Sequence, residues 1–144
     1  MKSKNKLSEE YLKRIFTELE KFKSEDRIIV LISHSFLELL INILIKHKCK
    51  NHKKILNSQE FSYAIKIILL NECKILDDRI FKKLNIFRDI RNNAAHDPLF
   101  IFPLDKINDL IFEEMPRDKS ILRICERLVL YVWNTHSDVF KQYL

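Results

Sequence analysis

Arg91 and His96 stand five residues apart in the run Arg91-Asn92-Asn93-Ala94-Ala95-His96, and their side chains suit phosphate chemistry. A guanidinium grips a phosphate with two parallel hydrogen bonds and favours a transition state of higher negative charge. An imidazole, with an ordinary pKa of about 6.5, exchanges protons near neutrality. Asn92 can orient either group or bond a phosphate oxygen. The set is compatible with RNA cleavage, in which a 2′-hydroxyl loses a proton, the 5′-oxygen gains one, and the phosphorane between them carries extra charge.

These residues must be positioned by a helix. On a wheel turning about 100° per residue, Ile80, Leu84, Arg91 and Ala94 all fall within about 60° of Phe87. Arg91 therefore sits inside the apolar stripe, where packing alone would ask for leucine. A guanidinium there must face a carboxylate, a cleft or another subunit. His96 falls about 180° from Phe87 on the same wheel, unless Pro98 unwinds the last turn and brings the imidazole round beside the arginine. Arg88 lies about 60° from Arg91 and is a candidate second phosphate contact.

A second helix supplies the counterpart. His34, Glu38 and Asn42 recur every fourth residue, a narrow polar stripe on an apolar rod, with Arg27 near the same line. Glu38 is expected to pair with Arg91 and set its rotamer, leaving His34 and Asn42 at the cleft edge. The plainer alternative is a salt bridge that only satisfies a buried arginine.

Capping residues and apolar spacing place the elements. Ser8 before two acids opens a helix over about 9–22, with Leu12, Ile15, Phe16, Leu19 and Phe22 on one face. Ser24 opens the next, about 25–47, apolar nearly all round. Its stretch from Ile28 to Ile45 is interrupted by Glu38, so a buried core helix is expected rather than a membrane span. Ser58 is expected to cap a third helix to about Leu70, and Asp77 or Asp78 a fourth to about Ala95, ended by Asp97-Pro98. The run 98–103 reads as an extended, buried crossing. A short helix over about 104–114 and a last one from Asp118 or Ser120 to about His136 complete an all-α bundle of five or six helices, one domain over 1–144. Trp133 and Tyr131 read as core or dimer packing, Cys73 and Cys125 as small core hydrophobes, and His136 as a partner of a helix C-terminus.

Composition narrows the function. The chain has 144 residues and no glycine. That removes the P-loop, the dinucleotide-binding turn and the hydrolase nucleophile elbow, so side chains are expected to hold any phosphate. Three cysteines in no metal-binding spacing point to neither a disulfide framework nor a zinc site, and a reducing cytoplasm is expected. No cofactor or metal is called for; His47, Cys49 and His52 lack a fourth ligand. The net charge of +6 resides wholly in residues 1–54. Its densest part contains Lys46, Lys48, Lys50, Lys53 and Lys54, expected on an exposed, mobile loop able to contact nucleic acid. A lysine-rich, AT-biased composition would produce the same run.

The segment Arg91 to His96 fits the R-x4-6-H motif of the HEPN superfamily, including the polar residue after the arginine. With its surroundings from Leu84 to Asp97, and the preceding Ser35-Phe36-Leu37-Glu38-Leu39-Leu40, it resembles the HEPN-like branch that includes the mannitol operon repressor family. The likeness spans about residues 26–115. It implies a helical homodimer whose motif segments face each other across a cleft. It further implies either of two functions. One is a metal-independent endoribonuclease, a toxin or phage-defence effector with a possible cognate antitoxin, leaving a 2′,3′-cyclic phosphate and a 5′-hydroxyl. The other is a non-catalytic transcriptional regulator or interaction module.

Overall fold

The computed structural model describes residues 2–112 and 120–144, with side chains from Ser8 onward. The order is α1 (Lys2–Lys21), α2 (Asp26–Lys48), α3 (His52–Asn57), α4 (Tyr63–Glu72), α5 (Asp78–His96), a 3-10 turn (Leu104–Lys106), α6 (Ile107–Leu110), α7 (Ile121–Thr135) and α8 (Ser137–Tyr143), with no strand among these residues. The all-α expectation holds, but the described residues form eight helices, not five or six. The surplus is α3, α6 and α8, each of seven residues or fewer. Helices this short have too few turns to show a clear apolar period.

Helix α2 is the axis of the bundle. It is long and apolar enough to span a bilayer, yet α1, α3, α4, α5, α7 and α8 pack around it. Its Ile29, Val30, Leu37, Leu40, Ile41, Leu44 and Ile45 have no exposed surface. An all-round apolar helix is what such a central position requires. Helix α5 runs antiparallel to it: the Arg27 guanidinium near the start of α2 donates to the carbonyls of Asp97 (2.7 Å) and Pro98 (3.0 Å), just past the end of α5.

Several boundaries differ from those expected. Helix α1 begins at Lys2, so Ser8 lies within it, fully buried, instead of capping it. Ser58 ends α3; Ser62 caps α4, its Oγ accepting from the Ile65 amide at 3.4 Å. Both serines precede apolar residues, and spacing alone does not choose between them. The run 98–103 is extended only beyond Leu99, because Pro98 and Leu99 form a turn in which the Phe100 amide donates to the Asp97 carbonyl at 3.2 Å, and it is only half buried: Phe102 is 3% exposed, whereas Leu99 and Ile101 are 82% and 83% exposed. Alternate residues of an extended chain face opposite sides, so one face packs and the other does not. The helix expected over 104–114 is the 3-10 turn and α6, ending at Leu110; its last residues, with Pro116 and Asp118, lie outside the described residues. Ser120 caps α7. After it comes α8, unforeseen, whose fully buried Phe140 stacks on Trp133 at 5.4 Å between ring centroids. Trp133 is 4% exposed and Tyr131 stacks on Phe112, consistent with packing roles. Cys125 is buried as expected, but Cys73 is exposed at the end of α4.

The missing glycine leaves one mark on the backbone. Lys74 has φ 58°, the left-handed conformation normally given to glycine just past a helix. The Ile75 amide donates to the Leu70 carbonyl at 2.9 Å, and Asn71 Nδ2 bonds the Leu76 carbonyl and Asp78 Oδ1, so the α4–α5 turn is held by its neighbours. Lys74→Gly is expected to raise stability by about 1 kcal/mol, read by urea denaturation. A lower midpoint would show that the lysine side chain contributes more than its backbone costs.

Candidate functional site

The turn between α3 and α4 delivers the first turn of α4 against the facing sides of α2 and α5. The three elements enclose a cavity of about 350 Å³. Helix α2 contributes His34 and Glu38, one turn apart; α5 contributes Arg88, Arg91 and Asn92; α4 contributes Ser62, Tyr63 and Ala64. Five of the residues singled out from sequence thus meet in one place.

Their partners are few. Arg91 Nη1 donates to Asn92 Oδ1 at 3.2 Å, and Arg88 Nη2 to Asp89 Oδ1 at 3.2 Å, each a contact with the adjacent residue. The expected ion pair between Glu38 and Arg91 is not formed: both line the cavity, but no hydrogen bond or salt bridge joins them among the described residues. Lining one cavity from two helices satisfies a helical-wheel argument without bringing the charges into contact. Asn42 departs further. Its Oδ1 accepts from Lys66 Nζ at 3.0 Å, and it lines a separate cavity beside Lys46, Leu56 and Tyr143.

His34 is 3% exposed, and neither ring nitrogen has a hydrogen-bond partner. Its ring lies against Tyr63 at 4.6 Å and Phe87 at 6.3 Å between centroids. Burial first, then the positive charges of Arg91 and Arg88, lower its pKa to about 4. At pH 7 it is a neutral imidazole, with one nitrogen carrying a proton to donate and the other a free lone pair to accept. Tyr63, whose buried hydroxyl also lacks a partner, is held well above its ordinary value by burial and then by Glu38.

The sign of the pH dependence follows. Unfolded His34 takes up a proton near pH 6.5, the folded residue only near pH 4. Its contribution is complete above pH 6.5 and is lost as the pH falls toward 4, by on the order of 3 kcal/mol. His34→Gln should flatten that part of the acid limb in denaturation curves taken between pH 4 and 7. An unaltered slope would dismiss the assignment.

His96 is not in the cavity. Helix α5 stays wound through His96 and is capped by Asp97, so the imidazole is exposed and keeps its place on the wheel, about 140° round from Arg91. The unwinding that could have brought it beside the arginine does not occur. Nor do the lysines reach the site. Lys46 and Lys48 belong to the last turn of α2, Lys53 and Lys54 to α3, and only Lys50 to the turn between them, so the expected mobile loop is mostly helix. Lys46 is eight residues beyond Glu38, about 12 Å along the axis. Its Nζ sits 5.3 Å above the Tyr143 ring, and His47 Nδ1 is 3.2 Å from the Tyr143 hydroxyl. No group of three or more potential metal ligands occurs among the described residues. His136 joins α7 to α8, and burial lowers its pKa.

Ser62, Tyr63 and Ala64 are the cavity residues that sequence reading missed. The signal was present in Ser62: taken as the cap, it places Tyr63 and Ala64 in the first turn of α4. What could not be read is that this turn docks between α2 and α5.

No protein-family model matches this chain, and neither a curated protein nor a solved structure matches it.

Proposed function

We propose that this chain is an RNA-cleaving protein of HEPN type, a metal-independent endoribonuclease acting as a homodimer. The observation that carries the reading is Arg91 itself. A guanidinium in the apolar stripe of α5 opens into a cavity beside a second guanidinium, Arg88, with no carboxylate bonded to it. A half-buried guanidinium with no carboxylate bonded to it suits an anionic ligand better than it suits packing.

In the proposed reaction Arg91 and Asn92 hold the scissile phosphodiester at the mouth of the cavity, and Arg88 adds a second positive charge. The proton transfers fall to His96. Because it lies round the helix from Arg91 in its own protomer, the His96 that serves a given Arg91 comes from the second copy. Lys46, Lys48, Lys50, Lys53 and Lys54 attract a more distant stretch of the same RNA. The setting is the cytoplasm, as a toxin or defence effector restrained by a cognate antitoxin.

The test is incubation of the purified chain with RNA in EDTA, with end-group analysis. Products ending in 2′,3′-cyclic phosphate and 5′-hydroxyl are expected. A second reading is favoured by the separation of His96 from Arg91: a non-catalytic regulator or interaction module, like the mannitol operon repressor family. A dimeric chain that leaves RNA intact would select it.

A further inference from the structure

We infer that Cys49 and Cys73 are a disulfide-forming pair, a site of reversible oxidation by a small disulfide such as oxidised glutathione, and that the bond they form staples the far end of α4 to α2. The inference does not rest on RNA cleavage.

In the sequence the two thiols stand 24 residues apart and belong to no motif. The fold brings them together. Helices α2 and α4 pack on each other and run parallel: His34 lies against Tyr63 at the start of α4, and Asn42, further along α2, accepts from Lys66, further along α4. That last contact joins residues 24 apart, the same offset as between Cys49 and Cys73. Each cysteine is seven residues beyond the contact on its own chain segment. Seven residues advance about 10 Å along a helix and turn back to within about 20° of the starting direction. Cys49 and Cys73 therefore stand on the two faces that carry the contact, two turns further on. Both keep this register, because the Cys49 amide donates to the Ile45 carbonyl at 2.9 Å and the Cys73 amide to the Leu69 carbonyl at 3.0 Å, closing α2 and α4. The thiols also feel each other: burial first, and then the charge of Cys73, raise the Cys49 pKa.

Exposure assigns the order of events. All three cysteines are free, Cys73 exposed, Cys49 half-buried and Cys125 buried in the core. The Cys73 thiolate attacks one sulfur of oxidised glutathione, whose S–S bond breaks; one glutathione leaves as thiolate and a mixed disulfide forms. The Cys49 thiolate then attacks Cys73 Sγ and expels the second glutathione. Both protein thiols are oxidised, the reagent is reduced to two thiols, and the protons lost by Cys73 and Cys49 end on the two glutathiones. In a reducing compartment such a bond is transient, which is the behaviour of a redox-responsive pair. It closes the chain from 49 to 73, a loop that contains all of α3 and α4. Since the first turn of α4 walls the cavity of Arg88 and Arg91, pinning its last turn restrains that wall.

The full chain is equilibrated in glutathione buffers of rising oxidised-to-reduced ratio, its free thiols are alkylated, and intact mass and peptide maps are read. A monomer with Cys49 joined to Cys73 and only Cys125 alkylated is expected, its fraction following a single potential. Cys49→Ser should stop at a glutathione adduct on Cys73. Cys73→Ser, a change at an exposed position, should leave both remaining thiols free. Amide exchange in α4 should slow roughly tenfold or more on oxidation of the wild type, and not at all in Cys73→Ser in the same buffers. A wild-type adduct on Cys73 that never resolves, a disulfide between two chains, or unchanged α4 exchange in the oxidised monomer would each overturn the staple. RNA is absent from every arm, so failure here and failure of the cleavage reading are separate.

Discussion

Arg91→Ala is expected to lower the proposed RNA cleavage by roughly 10²–10³-fold, the cost of losing a donor to a developing negative charge, while helicity and melting temperature stay close to wild type. The second half is as informative as the first. Arg91 makes no ion pair that its removal would break, and it lies one turn from Arg88 on the same side of the cavity. Deleting it orphans no carboxylate, unlike the loss of one member of a buried pair. Because Arg91 helps to lower the His34 pKa, the same variant should raise it, measurable by NMR. His96→Ala is expected to lose roughly 10²–10⁴-fold, as for a general acid or base. Mixing the two inactive variants then tests where the site lies. If each site takes its arginine from one protomer and its histidine from the other, mixed dimers regain one of two sites, and a 1:1 mixture recovers about a quarter of wild-type activity. Recovery of none would place both groups in one chain and would contradict the position of His96 on α5.

Phe87→Ala is expected to cost about 3–5 kcal/mol. Phe87 is fully buried on α5, toward α2, with its ring parallel to that of His34. Removing it leaves a void that the antiparallel α2–α5 pair cannot close without shifting Arg91 and Glu38. For a chain whose total stability is of order 5–15 kcal/mol, that is a large share. The melting temperature should fall by at least about 10 °C, followed by circular dichroism. A fall of only a degree or two would mean that α5 does not pack on α2 through this ring.

Most of the frame was legible. Aspartate at 77, Ser120 and the Asp97-Pro98 stop mark their helices because the signals are local: a side chain caps its own backbone, or a proline bars the next turn. The apolar stripe of α5 and the all-round apolar α2 follow from the 3.6-residue period. Three kinds of feature were not legible. Short helices such as α3 and α8 carry too few residues to show a period, and α8 is held by Phe140 against Trp133, a contact made only after the chain has folded back. The choice of Ser62 over Ser58 depends on what α4 packs against. Leu99 and Ile101 read as core by type and are exposed, Leu99 on the turn that follows α5 and Ile101 because an extended chain can turn only one of its faces inward.

For the site, residue types and periodicity determined which side chains share a face: His34 with Glu38 on α2, Arg88 with Arg91 on α5, and His96 away from them. Those relations are properties of a single helix and need no partner. Only the tertiary structure decided which faces meet. It brought Tyr63 and the N-terminus of α4 to the arginines, left Glu38 and Arg91 lining one cavity without bonding them, and sent Asn42 to Lys66 instead. It also set the charge state of His34, since burial and the field of two guanidiniums arise only when three helices, distant in sequence, close around one cavity.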